Sequence, residues 1–206
     1  MRRTALLWCD RHCCLCKRPC GVDIEVDHLI PEAEGGTDTI ANALPLCFDC
    51  HGKVHRYNER HPRGTKYFRE ELRTRRDQVY EEFTRPLVPP VICQITQALG
   101  GGKSRQLPDV GFLLQHHGDG LPVKVRVSLK INGLSLGSPY YNGERLWRLN
   151  PRHAISGHFS TPRRRYRGRL SIIVDHSIID SLGYEHPRLP AEYAYKSNGN
   201  TWYLEP

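Results

Sequence analysis

The clearest regular alternation of apolar and polar positions lies in the second half of the chain. Val123, Val125, Val127, Leu129 and Ile131 are apolar and the residues between them polar, which predicts a strand with one face buried. Asn132-Gly133 follows as a hairpin turn signal. Leu170, Ile172 and Val174 repeat the alternation. Tyr193 and Tyr195 lead into Ser197-Asn198-Gly199-Asn200 and Trp202 and Leu204 lead out, a pattern for a terminal hairpin. Residues 108–206 are therefore expected to form a mostly β domain. Before it the period changes. Phe68, Leu72, Val79 and Phe83 recur near helical spacing with Arg and Glu between them, predicting a helix over Lys66 to Phe83 that Pro86, Pro89 and Pro90 stop. Gly100-Gly101-Gly102-Lys103-Ser104 reads as a flexible joint. The expected boundaries are a cysteine- and histidine-rich block over 1–58, a helical extension over 59–90, a linker over 91–107 and the β-rich domain over 108–206. The fold class expected is α+β.

Charge and cysteine usage narrow the classes. The formal net charge is +8, which points to a polyanionic partner, nucleic acid being the commonest. No stretch approaches the roughly 20 apolar residues that span a bilayer. The Ala5-Leu6-Leu7-Trp8 run is too short for the apolar core of a signal peptide and meets Asp10 and Arg11 at once, so a cytoplasmic location is expected. Seven of the eight cysteines precede residue 51, and four come as C-x-x-C pairs. In a reducing compartment that arrangement favours metal over disulfides.

Cys13-x-x-Cys16 and Cys47-x-x-Cys50 can supply four thiolates to one structural zinc. Zinc ribbons usually separate such pairs by roughly 15–20 residues. Here 30 residues, Lys17 to Leu46, intervene, so a sizeable insert lies between the knuckles. A block this small buries little apolar surface, and a metal staple is expected. Cys9, Cys14, Cys20 and Cys93 have no evident partners, although Cys14 or Cys20 could replace an assigned ligand. Within the insert, Ile24 to Pro31 reads as a short strand ending at a proline, with Asp27 and His28 at its tip. Glu34-Gly35-Gly36-Thr37 is a loop signal, and Asn42 follows. His51 and His55 lie four apart on an expected helix, where both imidazoles face one way and can share a metal.

The run V-D-H-L-I-P, then E-G-G-T-D, then the asparagine, then L-C-x-x-C-H-x-x-x-H resembles the HNH, or ββα-metal, endonucleases. The resemblance covers roughly Cys13 to Arg56, near the N-terminus only. It implies a zinc-stapled ββα-metal nuclease module that hydrolyses DNA phosphodiester bonds. By resemblance, Asp27, His51 and His55 would hold a catalytic divalent ion, Mg²⁺ or another such as Mn²⁺ or Ni²⁺. His28 would be the general base. Asn42 would hold the loop and orient the His28 ring. The alternative for His55 is a solvated helix residue.

Arg163, Arg165, Arg167 and Arg169 at alternate positions would form a stripe for nucleic-acid phosphates, or a solvated strand edge. Arg73, Arg75 and Arg76 would more readily be a solvated helix face than a DNA contact. His116-His117 and Asp175-His176 lack spaced partners and are expected to be ordinary residues. The β-rich domain would either choose the target, as in a restriction or phage-defence enzyme, or pair two nicking sites in a homodimer. The rival reading is a non-catalytic, zinc-dependent nucleic-acid-binding protein.

Overall fold

Near the N-terminus a pair of short strands face each other across the loop that separates the knuckles. β1 (Ile24–His28) pairs antiparallel with β2 (Ala43–Cys47), from Ile24 against Cys47 to His28 against Ala43. Every residue of β2 is buried, because the strand is covered on both sides. β1 lies beside it, and three helices pack on it: α1 (Arg2–Trp8), α2 (Phe48–His55) and α3 (Arg69–Thr84). The structure, a computed structural model, describes residues 1–55, 67–97, 109–132, 134–135, 146–161, 170–196 and 201–204. It is mixed, with few helices and many antiparallel strands, as the α+β expectation had it.

The chain divides into two units, Met1–Pro86 and Leu87–Pro206. Helix α3 belongs to the first. Its buried residues are Leu72, Arg76, Val79, Tyr80 and Thr84, a stripe of helical period. Tyr80 meets the edge of Trp8 from α1 at a centroid distance of 5.5 Å. Phe83 stacks on His12 beside the first knuckle, 4.2 Å between centroids. Two sequence expectations are corrected here. Phe68 does not belong to the apolar stripe: it precedes the helix in an extended conformation and is 70% exposed. Arg76 does not lie on a solvated face: it is buried on the stripe, while Arg73 and Arg75 stay outside, paired with Glu70 and Glu71.

The second unit begins earlier than expected. Val91 to Gln97 is not linker but strand β3, with Val91, Cys93 and Ile95 packed inward and Ile92, Gln94 and Thr96 exposed. It pairs antiparallel with β4 (Val110–His116), which pairs with β8 (Ala154–Phe159). The glycine-rich joint at 100–104 lies outside the described residues. A larger sheet runs β12 (Thr201–Leu204), β11 (Ala191–Lys196), β9 (Ser171–Ile179), β5 (Val123–Ile131), β6 (Leu134–Ser135). β10 (Glu185–Pro187) also pairs with β9, and β7 (Trp147–Leu149) with β5.

β5 alternates buried and solvent-facing positions along its length, as its pattern predicts. Ile131 and Leu134 close its hairpin with β6, and Tyr195 opposes Trp202 in the terminal one. Inward residues of both sheets share one core, centred on Phe112, whose ring lies 5.2 Å from Trp147 and 5.6 Å from Phe159. Tyr193 and Tyr195 pack against that core.

Candidate active site

The frame of paired cysteines is built by turns. At the first knuckle the Lys17 N–H donates to the Cys13 carbonyl (2.9 Å), with Lys17 left-handed at φ 60°. The Cys13 N–H closes the loop on Arg18 (3.0 Å). The second knuckle spans the end of β2 and the first turn of α2, where the Cys50 N–H points at the Cys47 sulfur (3.5 Å). Cys13, Cys16, Cys47 and Cys50 converge with their sulfurs within 4.8 Å of one another, close enough to share one tetrahedral ion. Burial pushes the Cys47 thiol up, but the Cys50 N–H and the thiols of Cys50, Cys13 and Cys16 outweigh it and bring it down to about 7. Burial raises the Cys13 and Cys50 thiols instead, so Cys47 is the first of these three to become the thiolate a metal needs.

Because Cys47 to Cys50 lead directly into α2, the second knuckle also aims that helix along β1. A second cluster results. Asp27, His51 and His55 each offer a ligand atom, again within 4.8 Å of one another. Asp27 Oδ1 accepts the His28 N–H at 2.7 Å, which fixes the carboxylate. Its Oδ2 lies 2.6 Å from His55 Nε2 and 3.7 Å from His51 Nε2. The two imidazoles sit edge to face, 4.7 Å between centroids. One hard oxygen and two borderline nitrogens make a donor set suited to a first-row divalent ion and tolerant of Mg²⁺. The residues therefore fit the metal that the sequence led us to expect, and His55 belongs to the cluster.

Asp38 and Glu25 complete the surroundings, and neither is evident from sequence. Glu25 Oε2 approaches His51 Nδ1 at 3.0 Å, on the ring edge away from Asp27. Carboxylates in that place commonly orient metal-ligating histidines. Two residues before Asp27, Glu25 shares its face of the strand, which was the available signal. His28, the last residue of β1, has its Nε2 buried with no hydrogen-bond partner among the described residues, 3.6 Å from Asp38 Oδ1.

Asn42 is 6% exposed and spends its side chain on backbone. Its Oδ1 accepts the Ile30 N–H (2.8 Å), and its Nδ2 donates to the carbonyls of Ile30 (2.9 Å) and Thr37 (3.0 Å). The Asn42 carbonyl accepts the Leu29 N–H (2.9 Å). Asn42 thus ties down the strap of residues 29–38 that follows His28, and makes none of these bonds to the imidazole. The strap needs its glycines. Gly35 is left-handed at φ 82°, and a Cβ on Gly36 would run into the Ile30 carbonyl.

Arg163, Arg165, Arg167 and Arg169 lie outside the described residues. His116 is the buried last residue of β4, its Nδ1 accepting the Gly118 N–H (3.1 Å), and Asp175 pairs with Lys130 (3.6 Å). No further group able to hold a metal occurs among the described residues. No helix among them is long and apolar enough to cross a membrane.

Residues 13–57 match the family model of the HNH endonuclease, the stretch that holds both clusters. No curated protein matches the chain. Among solved structures, a protein from Archaeoglobus fulgidus is similar at 15% identity over 52% of this chain and 96% of that one. Its TM-score of 0.27 is too low to speak for a shared fold. The N-terminal region of the chain thus carries an HNH endonuclease domain.

Proposed function

We propose that the protein is a metal-dependent endonuclease that hydrolyses DNA phosphodiester bonds at the site formed by β1 and α2. The observation that carries this reading is the convergence of Asp27, His51 and His55 beside His28, inside the segment that matches the HNH family. Asp27, His51 and His55 hold a divalent ion, Mg²⁺ or one such as Mn²⁺ or Ni²⁺. When bound, it supplies neutralisation of phosphate charge and stabilisation of the departing oxygen. His28 accepts the proton of the attacking water, a role suited to an imidazole near neutral pH. Asp27 keeps its carboxylate in place through the His28 N–H, so ligand and base are set by adjacent residues of β1. Asn42 holds the strap that confines His28. Cys13, Cys16, Cys47 and Cys50 hold a structural zinc that aims α2.

The second unit selects what is cut. Its strand β5 turns Lys124 to solvent with Arg148 of β7 standing opposite, whereas Arg126 and Lys130 on the same face are paired with Glu185 (3.3 Å) and Asp175 (3.6 Å). Like charges facing each other on an open sheet destabilise it, and an anionic strand relieves them. A cutting module with little sequence choice of its own joined to a selecting unit is the organisation of a restriction or phage-defence enzyme acting in the cytoplasm. The test is cleavage of supercoiled plasmid by the full chain. Wild-type protein should nick with Mg²⁺ or Mn²⁺, not with EDTA, and Asp27→Ala should not nick with either. Binding without cutting under every metal would favour the non-catalytic zinc protein.

A further inference from the structure

Helix α3 lies beyond the matched segment, yet it reaches the strap beside His28. Arg76 is 7% exposed, on the helix stripe that otherwise carries Leu72, Val79 and Tyr80. Its Nη1 donates to the Ala41 carbonyl at 2.6 Å and to the Ala43 carbonyl at 3.4 Å. These are the carbonyls on either side of Asn42. The other edge of the guanidinium is held by Asp77 Oδ1 through Nε (2.9 Å) and Nη2 (2.7 Å), and its carbon stands 5.7 Å over the Tyr80 ring. Toward the other end of the strap, Arg69 of α3 pairs with Glu34.

We propose that Arg76 is a positioning residue for phosphodiester hydrolysis: it fixes the backbone around Asn42 and, through Asn42, the strap that confines the general base His28. The connection is continuous. Asn42, held between two anchored carbonyls, accepts the Leu29 N–H and binds both backbone groups of Ile30, the two residues that follow His28. It also binds the Thr37 carbonyl, and the next residue, Asp38, faces His28 Nε2 at 3.6 Å. An apolar side chain would fill the same place on the stripe without the cost of burying a guanidinium. What an apolar residue cannot do is hold two carbonyls at once, and Nη1 does so with little freedom left because Nε and Nη2 of the same plane are fixed on Asp77. Small displacements of a catalytic group cost large factors in rate, so the strap is where such rigidity has an effect.

This role rests on the endonuclease reading, and the test separates the two. Full-length, zinc-loaded wild type, Arg76→Met and Arg76→Lys are compared for plasmid nicking with Mn²⁺, for Mn²⁺ affinity without DNA, and for amide hydrogen exchange at Leu29 and Ile30. Arg76→Met is expected to lose about tenfold or more in kcat per folded molecule, with KM and Mn²⁺ affinity within about threefold of wild type. Leu29 and Ile30 should exchange faster by a similar factor. Arg76→Lys keeps the charge but not the fork and should fold normally with an intermediate kcat, which keeps the test valid if Arg76→Met fails to fold. A merely structural arginine would lower the melting temperature and leave kcat per folded molecule and local exchange unchanged, and that result overturns the proposal. If wild type itself does not cut with any divalent metal, the endonuclease reading falls and this role falls with it. If wild type cuts and both variants cut equally well, this role alone is overturned.

Discussion

The proposed role of His28 asks that its ring be confined and yet free to take a proton. Confinement comes from the strap that Asn42 ties, and the proton-accepting role makes a clear prediction. His28→Ala should lose roughly 10²–10⁴-fold in cleavage rate while zinc content, melting temperature and DNA binding stay near wild type. Asn42 should behave differently. Asn42→Ala strips partners from three backbone groups, those of Ile30 and Thr37. A calorimetric scan should show it destabilised by about 1–3 kcal/mol, with cleavage reduced as a consequence; unchanged melting would contradict the strap role. Glu25 gives a third case at this scale. With its carboxylate 3.0 Å from His51 Nδ1, Glu25→Ala should weaken Mn²⁺ binding by about 10–100-fold in titration calorimetry. His28, Asp27, Asn42, His51 and His55 were legible because order and spacing along the chain carry them. Asp38 was not, because its importance depends on where the strap brings it, and Glu25 left only its place two residues before Asp27 on one strand face, which does not say that α2 brings His51 to it. Arg76 was hidden by its charge, although its place between Leu72, Val79 and Tyr80 on one helical face was open to view.

Among the elements, the knuckles and α2 behave as one device. The Cys47–Cys50 turn ends β2 and starts α2, so an ion held by the four thiols would also set the direction in which His51 and His55 point. Losing one thiolate should therefore affect both metals. Cys47→Ser is expected to release the tightly held zinc, measured by metal analysis after dialysis, and to unfold the first unit, because structural zinc supplies folding free energy. A Cys47→Ser protein that keeps its zinc and melts like wild type would contradict this. The β-rich elements show which patterns can be read. β5 was legible because valine and leucine alternate with lysine and arginine over its whole length. β3 was not. It follows a proline run, and its inward face is Val91, Cys93 and Ile95 against the weakly polar Gln94 and Thr96, a low-contrast alternation easily taken for linker. Helix α1 has only seven residues, too short for a period to declare itself; what holds it is the burial of Ala5 and the contact of Trp8 with Tyr80.

For the whole molecule, the division at Pro86 and Leu87 places α3 in the unit that holds the candidate site and the described β strands from Val91 onward in the other. A fragment ending at Pro86 should nick DNA weakly, with divalent metal and without target preference, whereas one ending near Asn58 lacks Leu72, Arg76, Val79 and Tyr80 and should not fold into an active form. In the full chain, charge reversal at Lys124 and Arg148 should weaken DNA binding and flatten its dependence on salt, which filter binding across a salt series would measure. Retention of full target preference by the fragment would transfer target choice to the first unit and leave the second as a pairing platform. All of this stands on the claim that Asp27, His51 and His55 hold the ion that serves His28. The most direct measurement is single-turnover cleavage of one supercoiled plasmid by zinc-loaded wild type and His28→Ala over a Mn²⁺ titration. Wild-type rate should rise with Mn²⁺ to saturation, while His28→Ala binds Mn²⁺ with the same affinity and stays roughly 10²-fold or more slower at every concentration. Metal-independent wild-type cleavage, or a His28→Ala curve that overlays wild type, would contradict it.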